Sequence, residues 1–77
     1  MSEHVTLTLS RDEAIVFYEW LTRFNSSKEH RFEDQAEQRV MWDLEASLES
    51  TLSEPLRADY DQLLADARSR VRDASEQ

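Results

Sequence analysis

Only one segment of this 77-residue chain alternates polar and apolar side chains. Residues 4–10, His-Val-Thr-Leu-Thr-Leu-Ser, put Val5, Leu7 and Leu9 on one face and Thr6 and Thr8 on the other. That is the period of a half-buried strand, and the residues are rich in β-branching. A lone strand leaves its backbone donors and acceptors unpaired. The segment therefore either pairs with the same strand of a second copy across a two-fold axis, or lies as an extended arm over the helices with a hydrated backbone. No other stretch offers a strand, so the expected class is mainly α.

Three helices follow from the spacing of apolar residues. Ser10-Arg11-Asp12-Glu13 is a capping box, and it predicts a first helix over 10–24. Phe17, Leu21 and Phe24 share its stripe, with Ala14 and Trp20 at the borders and Ile15 nearly opposite Phe17. So apolar a helix is expected to be covered on more than one side. Asn25-Ser26-Ser27 breaks the pattern and opens a polar loop, and Phe32 is placed to anchor the start of the second helix. That helix is predicted over 33–52, with Ala36, Val40, Met41, Leu44, Leu48 and Leu52 as its core stripe. Ser53-Glu54-Pro55 ends it. The third is predicted over 56–74, its regular part opening at an Asp59-Tyr60-Asp61-Gln62 capping box, with Leu56, Tyr60, Leu63, Leu64, Ala67, Val71 and Ala74 on one stripe. Residues 1–77 read as a single domain, a three-helix up-down-up bundle with an N-terminal β-strand or extended arm.

Size makes such a domain marginal. For a chain of 9.1 kDa, folding to a compact monomer hides about 8,000 Å². With a little over half of that apolar, the gain is about 120 kcal/mol at about 25 cal/mol per Å². Ordering the backbone and side chains costs nearly as much, at about 1.5 kcal/mol per residue. Cysteine is absent, so no disulfide or thiolate metal site adds to the margin. A partner subunit is the natural extra source of stability. The Met1-Ser2-Glu3-His4 start has no signal-peptide pattern and no run approaches a membrane span, so a cytoplasmic protein without membrane contact is expected.

Seventeen acids face nine bases, for a net charge of −8. Residues 29–66 hold eleven acids against three bases and carry that whole excess. Such a segment repels nucleic acid and anionic lipid and suits a basic protein partner, while also keeping a small chain in solution. Arg68, Arg70 and Arg72 fall in the last turns of the third helix, where cations suit the dipole.

The chain has no glycine, which excludes a phosphate loop, a dinucleotide fingerprint, a nucleophile elbow and an EF-hand loop. His4 and His30 are its only imidazoles, and no HxxxH pair or paired Glu-x-x-His pattern exists. Glu29, His30, Glu33 and Glu37 are the best available metal cluster, although His30 reads more simply as a solvated loop residue. Helix capping and solvation account for nearly all of the carboxylates, and a bundle this small has little room for a catalytic cleft. Tyr60 is expected to send its hydroxyl to the rim of the core for a hydrogen bond.

Trp42 stands apart. It lies about 160° round the helix from Leu44, among Gln35, Gln38, Arg39, Ala46 and Glu49. A Trp on a polar face marks the centre of an interface, or a residue covered by the first helix or the arm, or one that lies flat and half exposed.

The string Leu7-Thr8-Leu9-Ser10-Arg11-Asp12-Glu13-Ala14, with Tyr18-Glu19-Trp20-Leu21 and the run from Ala36 to Glu45, resembles the opening of many short bacterial helical proteins to which no activity is attached. The resemblance spans residues 5–52 and implies a small bacterial helical protein; it transfers no functional residue. The reading from the residues is a non-enzymatic, homodimeric interaction module without a cofactor, whose candidate interface is Val5, Leu7, Leu9, Trp42, Ala46 and Glu49. The alternative is a small metal- or ligand-binding protein using carboxylates near Glu33, Glu37 and His30.

Overall fold

A computed structural model describes residues 3–29 and 31–74. It is mainly α: α1 is Arg11–Ser26, α2 is Gln35–Thr51 and α3 is Tyr60–Ala74, with a short 3-10 turn at Glu54–Leu56. Local chemistry sets the starts. The Ser10 hydroxyl accepts from the Glu13 amide at 3.1 Å, and the Glu13 carboxylate accepts from the Ser10 amide at 2.8 Å. That completes the capping box and satisfies two otherwise orphaned donors. Asp34 caps α2, accepting from the Ala36 amide at 2.8 Å. Without glycine, the helices stop by stepping into extended backbone, at Ser27 (φ −81°, ψ 145°) and Leu52 (φ −90°, ψ 136°). No described residue has positive φ, so the left-handed cap that ends many helices is not used here.

The core lies around α1. Ala14, Ile15, Leu52, Leu64 and Ala67 form its buried cluster, flanked by Val16, Tyr18, Leu48 and Tyr60. Leu21 is fully buried. Both α2 and α3 pack on α1 and scarcely on each other. The end of α2 returns to the start of α1, where the Arg11 guanidinium donates to the Glu54 carboxylate, one of the two bonds being 2.9 Å. Tyr60 at the start of α3 reaches Glu19, and Arg70 near its end reaches Asp12. That order excludes a parallel α1–α3 pair: α3 crosses α1 in the reverse sense, because the connection 52–59, with Pro55 and its 3-10 turn, redirects the chain first.

Several expectations need correction. Residues 3–9 form no strand and do not cover the helices; they extend from Ser10 with Val5 90% and Leu7 80% exposed. On α1 the buried side is centred near Tyr18, so Ile15 is core, while Phe17 and Phe24 are only partly buried and Trp20 is exposed. The reason is that α1 must face two partners at once. On α2 the buried side is centred on Met41 and Leu48, and Ala36 and Val40 are exposed, because α3 does not close over that flank. Leu56 belongs to the 3-10 turn rather than to the third helix, and is 91% exposed. The Asp59 carboxylate accepts from the Arg57 guanidinium at 3.1 Å. The side chain of Ala74 and residues 75–77 lie outside the described residues.

These placements make a direct contrast. Leu21→Ala is expected to cost about 3 kcal/mol, whereas Ala36→Gln, on the open flank of α2, stays within about 0.5 kcal/mol. Urea denaturation followed by helix content measures both. A large loss for Ala36→Gln contradicts this orientation of α2.

Candidate functional site

All six candidate interface residues are exposed, but they lie on separate elements. Val5, Leu7 and Leu9 belong to the arm, and Trp42, Ala46 and Glu49 to one side of α2. Trp42 is 48% exposed. It follows Met41, so it stands about 100° from the centre of the buried side, nearer the α1–α2 seam than the sequence spacing placed it. Two contacts fix that seam. The Asn25 side-chain amide at the end of α1 donates to the Met41 carbonyl at 3.2 Å and to a Glu45 carboxylate oxygen at 2.6 Å. The Asn25 side-chain oxygen is buried without a hydrogen-bond partner among the described residues. Farther along, Tyr18 faces Glu49, Glu45 and Glu19. Burial first, and then these carboxylates, hold its phenol above the ordinary value.

A second surface was assigned to the core by its spacing and is not there. Trp20 stacks on Phe24 with ring centroids 4.8 Å apart, and Phe17 extends the stack at 6.2 Å. Phe32 meets Phe24 edge-on at 5.9 Å, so it does anchor the chain just before α2. Trp20, Arg23, Phe24 and Ser27 line a shallow depression of ≈ 310 Å³. The signal was present as Phe17, Trp20 and Phe24 at i, i+3 and i+7. What the spacing could not say is that the opposite side, with Ile15, takes the burial.

Polar pairs brace this frame. Tyr60 donates to Glu19 at 2.9 Å. Burial, then that bond, push the Tyr60 phenol far above its usual value. Arg70 grips Asp12 with two bonds, at 2.8 and 2.9 Å. Arg72 donates to Ser69 at 3.1 Å. Arg70 is thus engaged within the fold. The Glu37 carboxylate accepts from the Glu33 backbone amide at 2.9 Å, which is helix-start chemistry. His30 lies outside the described residues, and among those described no three His, Asp or Glu side chains converge as metal ligands. No helix among the described residues is long and apolar enough to cross a membrane. Comparison with protein-family models, curated proteins and solved structures gives no match.

The ion pairs set a pH dependence. The hydrogen bond from Arg70 holds the Asp12 carboxyl below its usual range, and the bond from Arg11 does the same for Glu54. A carboxylate whose folded value is lowered stabilises the fold above its unfolded value, and that contribution is lost as pH falls through the folded value. Stability is therefore expected to fall on acidification below about pH 4, and Asp12→Asn is expected to flatten part of that limb. Urea midpoints measured across the acid range test this; an identical acid limb in Asp12→Asn contradicts it.

Proposed function

We propose that this chain is a non-enzymatic protein–protein interaction module that works as a homodimer. The observation that carries the reading is surface area. The chain exposes 6504 Å², whereas a compact monomer of its mass exposes about 4,900 Å². The surplus, about 1,600 Å² per chain, is apolar at several places: Val5, Leu7, Leu9, Trp20, Val40, Trp42 and Leu56 are all exposed. Hiding most of it on both copies of a two-fold pair gives an interface in the range of about 2,000–5,000 Å² found for obligate dimers. A two-fold pair is economical because each copy offers the same patch to the other. The acids of segment 29–66 that lie outside that interface suit a basic protein partner. Catalysis has little support: Asp12 and Glu54, whose ionised forms are favoured, are both held by arginines in structural pairs.

Solution mass by light scattering on a sizing column, across a dilution series, tests the reading. The expected result is a dimer that dissociates only on strong dilution. Trp42→Ala is expected to retain helix content yet weaken association at least about 30-fold. A monomer at every concentration contradicts the homodimer. Loss of helix content in Trp42→Ala makes Trp42 part of the fold instead of the interface.

A further inference from the structure

We infer that two copies of this chain pack α2 against α2 in antiparallel sense, about a two-fold axis that passes beside Trp42. The inference rests on the homodimer reading and adds to it the face and the direction of pairing. The flank of α2 that carries Trp42 is open. Gln35, Arg39, Trp42, Asp43, Ala46 and Glu49 are all exposed, and α3 packs on α1 and scarcely on α2. Successive residues of a helix turn by about 100°. Gln35, Ala46 and Arg39 therefore follow Trp42 within about 60° on the side away from α1, with Asp43 about 40° beyond Arg39, and Glu49 lies about 20° to the other side.

Trp42 is the one large apolar side chain on this flank, and 48% of it is exposed. A second copy hides it with the same residue. On the two-fold axis the two rings meet, and the anchors of an interface tend to pair with one another. Ala46, one turn on, leaves room for the ring beside it.

Charge fixes the direction. Arg39 and Asp43 stand one turn apart, yet neither makes an ion pair among the described residues. In an antiparallel pair about Trp42, a residue some places before Trp42 lies level with the residue as many places after it in the partner. The partner's Asp43 then comes within about 3 Å, along the axis, of the level of Arg39, and on the same edge of the contact. Symmetry repeats the pair, so one flank supplies both charges twice. Farther out, Gln35 comes level with the partner's Glu49, an amide donor facing a carboxylate. A parallel pair would instead set Arg39 level with Arg39 of the other copy, and Asp43 level with Asp43. Like charges placed so work against association.

The chain has no cysteine of its own, so introduced thiols report without background. Gln35→Cys and Glu49→Cys are prepared separately in the full chain, mixed and treated with a bis-maleimide. Positions 35 and 49 lie about 21 Å apart along one helix, and the reagent is chosen too short to span that distance. Antiparallel pairing predicts a covalent dimer from the mixture and little from either variant alone. Charge exchange reads the register. Arg39→Glu and Asp43→Arg are each expected to raise the dimer dissociation constant at least about tenfold. An equimolar mixture of the two is expected to regain a tight dimer, because each copy then presents a single sign to the other. Every substituted position is exposed, and unchanged helix content checks that each variant is folded. Cross-linking of Gln35→Cys with itself means that the helices run parallel, and overturns the inference. A dimer by light scattering that neither charge variant weakens, with no cross-linking of the mixture, leaves the homodimer standing and overturns this placement. A monomer at every concentration overturns both.

Discussion

Helix α1 is the element that everything else leans on. Ile15 and Leu21 are buried on it, Ile15 in one cluster with Leu52 at the end of α2 and with Leu64 and Ala67 of α3, and both α2 and α3 pack on it. The polar braces repeat this arrangement. Arg11 ties the start of α1 to Glu54, Asp12 ties it to Arg70, Glu19 takes Tyr60, and Asn25 reaches across to Met41 and Glu45. Each of these contacts has one end on α1. Burial of Ile15 and Leu21 supplies the larger share of the energy, since exposed ion pairs contribute little individually. The braces set where along α1 each neighbour sits.

A hub of this kind leaves surface behind. In a closed three-helix bundle each helix has two neighbours, and three seams share the burial. Here the seam between α2 and α3 is nearly missing. Val40 and Ala36 face water on one flank of α2, Trp42 stands at the other, and Trp20 of α1 is exposed. The Cα radius of gyration, 14.2 Å, exceeds the value of about 11.5 Å expected of a compact chain of this length. The folding terms of so small a chain nearly cancel, which is one ground on which the proposed homodimer rests. In that proposal a second copy adds burial without adding chain to be ordered.

The sequence is legible where structure depends on neighbours in the chain, and much less so where it depends on elements meeting in space. Ser10 and Glu13 specify the first turn of α1 by their own hydrogen bonds, so the capping box could be read directly. The stripe Tyr60, Leu63, Leu64, Ala67, Val71 is narrow and admits one buried side, and α3 buries it. On α1 and α2 the apolar residues cover a wider arc than one neighbour can hide. Spacing then identifies the arc but not the part of it that stays wet, which is why Phe17, Phe24, Ala36 and Val40 were assigned to the core. Leu56 misled for a local reason: Pro55 favours a helical start, but a 3-10 turn of three residues satisfies it without continuing into α3. Of the candidate site, the place of Trp42 away from the apolar stripe of α2 was legible, whereas the arm, which reads as half-buried or laid over the helices, is exposed. The ring cluster at Trp20 and Phe24 was visible only as a stripe.

If this surplus surface is covered by a second copy, folding and association are one process, and the stability of the fold depends on protein concentration. Urea unfolding followed by helix content, repeated over an about hundredfold range of concentration, measures that coupling. The midpoint is expected to rise by roughly 1 M urea from the most dilute to the most concentrated sample. A midpoint that stays constant over the whole range means that the single chain is a complete folding unit, and contradicts the dependence of this fold on a partner.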